Sequence, residues 1–263
     1  MRLVQYFPHG LTEAGHTSKG NQAMPLFRSS SQPHTILIIG ASRGLGCAMA
    51  AEFLKKKWNV VGTVRASEGR TELHGLADAH EGHVEVERLD ITEPDQIAAL
   101  CNRLAGRSFD ILLFVNAGTG NKNRHETTAE VPTEEFVRVM VTNALGPMRV
   151  VEALQNLVPA KGLIGIMSSG QGSISNNEKG GNEIYRGTKA APNMYMRSYA
   201  ARHASDRRAL LLMAPGWIRS ELGGPDAPFS IEETMPNIVN VMMSKRGRPG
   251  LEFLDRNGKA VPW

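Results

Sequence analysis

At 263 residues, with 41% apolar and 21% charged side chains, the chain has the size and make-up of one large α/β domain. The net charge of +4 is modest, and half of it lies in residues 1–34, where Arg2, Lys19 and Arg28 outnumber the single acid Glu13, so no nucleic-acid partner is indicated. Cys47 and Cys101 lack CxxC spacing, which argues against a disulfide framework or a zinc site and suits a reducing, cytoplasmic setting, while no apolar run approaches the roughly 18 residues of a membrane span.

Residues 1–34 are broken by Pro8, Gly10, Gly15, Gly20, Pro25 and Pro33 and read as a disordered extension, or as a gene start placed ahead of Met24. They hold no apolar stretch of secretory-signal length, and one acid with few arginines makes a weak transit peptide. The fold is predicted to begin at Thr35–Ile39, a continuous apolar run buried on both faces. A glycine turn, Gly40-Ala-Ser-Arg-Gly-Leu-Gly46, leads into a helix from Cys47 to Leu54, closed by Lys55-Lys56-Lys57. Further strands are predicted at 59–64, 84–89, 110–115, 162–167, 209–213 and 250–254. Helical patterns lie between them: a short one near 70–82, one opening at Thr92-Glu93-Pro94, and a long one over 133–157 that Gly146-Pro147 should kink. The helix carrying Tyr185 and another from about Ile231 complete the series. Strict alternation predicts a single-domain, doubly wound parallel sheet of about seven strands with helices on both faces, spanning 35–263.

In such a sheet ligands bind beyond the carboxyl ends of the strands, where strand order reverses. The glycine turn sits at the first of those ends. Its G-x-x-x-G-x-G spacing permits a tight turn and close approach of a pyrophosphate to a helix N-terminus, although a structural turn is the alternative. A carboxylate at the end of the second strand would select NAD. This chain has Arg65 there instead, and Arg43 in the turn, and two guanidinium groups suit the 2′-phosphate of NADP(H). Tyr185 and Lys189 are four apart and share a helix face, where an ammonium would favour the phenolate; two surface side chains would show the same spacing. His74, His80 and His83 lie in a polar segment without supporting ligands and read as solvated, and no metal is expected.

Taken together, these residues resemble the short-chain dehydrogenase/reductases, and within them the C-factor/sniffer-like carbonyl reductases. The resemblance rests on the glycine turn, Asp90, Asn116-Ala-Gly118, Asn143, Ser168-Ser169, Tyr185-x-x-x-Lys189 and Pro215-Gly216. For the closer branch it rests on Gly172-Ser-Ile ahead of Gly180-Gly181, on 215–224, and on the tail Phe253–Trp263. It implies NADPH-dependent reduction of a ketone or aldehyde. In that reading Tyr185 is the proton donor, Lys189 holds the nicotinamide ribose, Ser169 polarises the carbonyl (Ser168 being the alternative), and Asn143 supports a proton relay through a water. Cofactor contacts would come from Gly40, Ser42, Arg43, Gly44, Leu45 and Gly46, with Arg65 at the phosphate and Asp90 and Ile91 at the adenine. Asn116, Ala117 and Gly118 would lie beside the adenine ribose. Pro215, Gly216, Ile218 and Ser220 would lie at the nicotinamide, Ser220 on the carboxamide. Trp217, Leu222, Phe229 and Met235 would line an apolar pocket or else belong to the core. The partner implied is a small carbonyl or alcohol, with pairing into a homodimer or homotetramer known among relatives. The same branch leaves open a dinucleotide-binding signalling role with turnover secondary.

Overall fold

The computed structural model describes residues 33–65, 69–114 and 119–263. Nearly all of the N-terminal extension, and Asn116, Ala117 and Gly118, lie outside them. The strands are β1 (Thr35–Ile39), β2 (Asn59–Val64), β3 (Val84–Arg88), β4 (Ile111–Phe114), β5 (Leu163–Met167), β6 (Ala209–Ala214) and β7 (Gly250–Asp255). The helices are α1 (Gly44–Lys55), α2 (Glu72–Ala79), α3 (Pro94–Arg103), α4 (Thr133–Met140), α5 (Gly146–Leu154), α6 (Glu183–Arg202) and α7 (Ile231–Lys245). The sheet runs β3-β2-β1-β4-β5-β6-β7, and every neighbouring pair is parallel. The chain therefore winds outward from β1 to β3, then returns to lay β4 against the other side of β1. That reversal opens a crevice above the carboxyl ends of β1 and β4.

Both faces of the sheet are covered, which explains why its central strands read as unbroken apolar runs. Ile36 and Ile38 pack with Met49 and Phe53 of α1 and Ile238 and Met242 of α7. Their alternates Leu37 and Ile39 pack with Leu100 of α3, Val150 and Leu154 of α5 and Tyr199 of α6. Each such side chain, removed from water, stabilises the fold by about 1.5–3 kcal/mol. At the amino end of the sheet Asp110 accepts from the Thr35 amide at 3.0 Å and pairs with His34 and Arg246.

The long helical pattern at 133–157 is interrupted just before the expected kink, by a π turn over Val141–Leu145. Pro147 has no N–H to offer the carbonyl four residues earlier, that of Asn143, and its ring crowds that oxygen. The ladder shifts by one, so that the Gly146 amide bonds to Val141 O, five residues back. Gly146 also has to be small: a Cβ there would lie 2.9 Å from Ile91 Cδ1 and 3.0 Å from the Ile91 carbonyl.

β1 passes to α1 through the glycine turn. A Cβ on Gly46 would lie 2.1 Å from the Gly40 carbonyl oxygen, so α1 can sit against the end of β1 only without one. Gly44 differs, having a φ of 58° and open space for 4 Å around the point where a Cβ would stand. Gly46→Ala should therefore force α1 off the strand, costing at least about 2 kcal/mol and lowering the thermal midpoint by roughly 5 °C. Gly44→Ala, strained only in its backbone, should cost about half as much. Thermal unfolding of the two variants followed by circular dichroism checks the order.

Candidate active site

The turn that opens the crevice is held from β2. The Gly40 amide donates to Thr63 Oγ1 at 2.9 Å and the Ala41 amide to the Thr63 carbonyl at 2.8 Å, with Thr63 buried. Nothing in the sequence pattern singled this threonine out. The α1 N-terminus starts from Arg43 with no side-chain cap and has no acid in its first turn. Its amides and the helix dipole thus face open space beside Gly44, a cradle of the shape and sign a pyrophosphate requires. The residues present fit a dinucleotide.

Arg65 ends β2 as an exposed side chain, and Arg43 is exposed as well. An acid that the sequence order concealed reaches this corner: Glu221, from the segment after β6, pairs with Arg43 at 2.6 Å. Asp90 closes an Asx turn, its Oδ1 accepting from the Thr92 amide at 2.9 Å and hydroxyl at 2.7 Å. Its Oδ2 takes no bond among the described residues. Ile91 is buried, so only its backbone is available to a ligand.

Ser169 follows β5 and caps the short 3₁₀ turn Gly170–Gly172, its Oγ accepting from the Gln171 amide at 3.1 Å. Ser169 also lies near enough to the Tyr185 phenol to favour its ionised form. Ser168 is turned the other way, buried, with its hydroxyl donating to Asn193 Oδ1 at 2.7 Å. Of the two serines it is Ser169 that acts on the tyrosine's ionisation.

Lys189 is 2% exposed, and its Nζ donates to the Met167 carbonyl at 3.1 Å and lies 5.8 Å from the Tyr185 ring centre. Burial pushes the lysine down to about 8. The expectation that this ammonium lowers the tyrosine pKa is not met in the structure. Burial raises Tyr185 above the ordinary phenol value, the nearby Ser169 offsetting part of the rise, and the lysine is directed at a carbonyl instead.

Asn143 is buried in the π turn. Its Nδ2 donates to the Thr119 carbonyl at 2.8 Å and Thr188 Oγ1 at 2.9 Å, and its Oδ1 accepts from the Thr119 amide at 3.0 Å. Thr188 in turn donates to the Tyr185 carbonyl at 2.9 Å. The amide partner that an asparagine in mid-helix demands is thus found, and it ties the segment after β4 to the turn of α6 that carries Tyr185. Neither Thr119 nor Thr188 carried a sequence signal; each is legible only once β4 and α6 are neighbours.

After β6, Pro215 is buried and Gly216 takes a φ of 96°. The Ile218 side chain belongs to the core, so any ligand contact it makes is through its backbone. The Ser220 hydroxyl accepts from the Gly223 amide at 3.1 Å and donates to the Ile218 carbonyl at 3.3 Å, closing its own turn. The four apolar residues of this region divide. Met235 is core and Phe229 lies under Arg256, whereas Trp217 (51% exposed) and Leu222 (43%) face outward beside the crevice.

The short chain dehydrogenase family model matches residues 34–228, and the chain belongs to that family of oxidoreductases. A short-chain dehydrogenase/reductase from Burkholderia multivorans, crystallised with bound NADP, is 61% identical, with a TM-score of 0.86 over 88% of this chain and 100% of that one. A carbonyl reductase from Pseudomonas aeruginosa PAO1 in complex with NADP is 29% identical, with a TM-score of 0.78 over the same shares. The C-signal protein of Myxococcus xanthus is 31% identical over 136 residues, 51% of this chain and 82% of that one.

Lys189 gives a test by linkage. Its folded pKa is depressed, so between about 8 and the unfolded value of 10.5 the unfolded chain binds more protons. Stability from this group is therefore lowest below pH 8 and rises as pH climbs through that window. At pH 7 the burial costs on the order of 3 kcal/mol. Lys189→Met should flatten the rise between pH 8 and 10.5 in urea unfolding of the cofactor-free protein, and should be no less stable than wild type at pH 7.

Proposed function

We propose that the protein is an NADPH-dependent reductase of ketones or aldehydes, with Tyr185 as the acid. The observation that carries this reading is the Tyr185 phenol within reach of Ser169 and one helical turn from a buried Lys189, whose Nζ lies 5.8 Å from the phenol ring centre, beyond the end of β5 and beside the crevice. Tyr185 kept protonated by burial is suited to donating: its O–H gives a proton to the carbonyl oxygen as that oxygen gains negative charge. The Ser169 hydroxyl holds the same oxygen in line and polarises the carbonyl. Lys189 binds the nicotinamide ribose and returns a proton towards the tyrosine, and Asn143 keeps α6 in register with the segment after β4 and supports the water-borne relay. When bound, the nicotinamide supplies the hydride.

Cofactor choice follows from the adenosine corner. Gly40, Ser42, Gly44, Leu45 and Gly46 hold the pyrophosphate, Arg43 and Arg65 the 2′-phosphate, and Asp90 Oδ2 the adenine amino group. The NADP-bound relatives from Burkholderia and Pseudomonas support this assignment. The backbone around Pro215, Gly216 and Ile218, with Ser220, then meets the carboxamide, and Asn116, Ala117 and Gly118 complete the ribose side. A second reading, a dinucleotide-binding signalling protein, draws on the likeness to C-signal. Turnover separates the two.

Tyr185→Phe should lower kcat by at least about 10²-fold while the NADPH dissociation constant, followed by nicotinamide fluorescence, stays within a factor of about three. Near-wild-type turnover would remove Tyr185 from the mechanism. Replacing Arg43 and Arg65 together by Glu should weaken NADPH binding by about 10²-fold and leave NADH nearly unaffected. Because an acid must be protonated to act, reduction should fall, and alcohol oxidation rise, only as pH climbs above the ordinary tyrosine range, which initial rates in both directions check.

A further inference from the structure

The segment joining Ser169 to Tyr185 is held at both ends but has little of its own to hold it between them. At its start Gly172 and Ser173 are buried against α6. At its end the Asn182 side-chain amide donates to Gln171 Oε1 at 2.8 Å, and Gly180, Gly181 and Asn182 are three consecutive residues with φ of 62°, 69° and 52°. Between these ends residues 174–181 are all exposed, Ile174 at 76%. Glu178, Lys179 and Gly180 make no hydrogen bond among the described residues. A stretch so poor in buried contacts should fray unless something else fixes it.

What fixes it comes from the far end of the chain. After β7 the chain turns at Asp255, whose amide donates to the Lys259 carbonyl at 2.8 Å, and doubles back so that the Val261 amide bonds the Phe253 carbonyl at 2.8 Å. Trp263 is delivered to the segment by this return. Its ring packs 5.6 Å from the Phe253 ring, and the Arg197 guanidinium of α6 lies over it at 4.7 Å. Its main-chain oxygen accepts from the Ser175 amide at 2.9 Å. One residue thereby joins β7, α6 and the loop between the two catalytic residues.

We propose that Trp263 is a positioning residue for substrate: packed against Phe253 and Arg197, it fixes the 173–181 wall through Ser175 and so sets what reaches Ser169 and Tyr185. This rests on the reductase reading for its effect on turnover, but the wall itself can be observed without turnover. The residue acts on the substrate's binding and leaves the proton-donating pair in place, so its signature is in KM.

The test uses the full chain with Trp263→Ala, Trp263→Phe and Arg197→Met. Trypsin cleavage after Lys179, followed by mass spectrometry in the native protein with NADPH present, reads the wall directly. Trp263→Ala should speed that cut by roughly ten-fold or more relative to cuts elsewhere, and Trp263→Phe should restore most of the protection. Arg197→Met, which leaves the core face of the ring intact, should give an intermediate rate and keeps the test available if Trp263→Ala does not fold. With a bulky aryl ketone, KM should rise roughly five-fold or more in Trp263→Ala while kcat stays within about two-fold, and NADPH affinity should be unchanged. Equal Lys179 cleavage in wild type and both weakened variants overturns the proposal whatever the enzyme turns over. So does a KM that does not move alongside normal wild-type turnover. Absence of turnover in the wild type would instead count against the reductase reading, with the cleavage rates still deciding whether Trp263 holds the wall.

Discussion

The close approach of α6 to the turn after β5 is the contact on which the site depends. A Cβ on Gly172 would lie 2.7 Å from the Lys189 carbonyl oxygen and 2.8 Å from its carbonyl carbon, so the two backbones touch only because residue 172 has none. Asn193 seals the joint from one turn further along α6, accepting from Ser168 at 2.7 Å and donating to the Gly172 carbonyl at 3.2 Å. With Ser168 pinned inward, its neighbour Ser169 is left facing the helix where Tyr185 emerges. Ser169 and Tyr185 thus come together because a buried serine, an asparagine and a glycine hold the strand end and the helix at van der Waals distance.

Among the described residues two lysines are almost fully buried, and the contrast between them is informative. Lys245, at 1% exposure, pairs with Glu252 at 2.6 Å and donates to the Arg248 carbonyl, so its charge is compensated on the spot. Lys189 has no carboxylate against it among the described residues, only the Met167 carbonyl and the ring of Tyr185. A buried ammonium without a counter-charge is a destabilising feature that a fold retains for a use other than stability. The sheet's two well-filled cores offset that cost.

Much of this was legible in the sequence because the deciding signals are local. The unbroken apolar runs marked the strands to within a residue or so, and the parallel order followed from strict alternation with helices. The glycine turn and the Tyr185–Lys189 spacing are likewise contained within a few residues. What escaped the sequence is contact between segments far apart. Glu221 reaches Arg43 from beyond β6, Thr63 holds the glycine turn from the next strand, and Thr188 meets Asn143 only once α6 has packed against the π turn. The π turn was half visible: Pro147 announced a disturbance, but its placement ahead of the proline depends on which carbonyl the ring crowds. The direction of the tyrosine pKa could not be read from spacing at all, because it depends on burial and on where the lysine points.

Gly172→Ala tests the central claim most directly, since it alters neither Tyr185, Lys189 nor the glycine cradle. A methyl at that position should push α6 away from the serine turn by several tenths of an ångström and separate Ser169 from Tyr185. Steady-state reduction of a carbonyl at saturating NADPH should then show kcat lower by roughly ten-fold or more, with NADPH affinity near that of the wild type. Wild-type kcat in Gly172→Ala would contradict the account, because it would mean that the Ser169–Tyr185 pair does not depend on this contact.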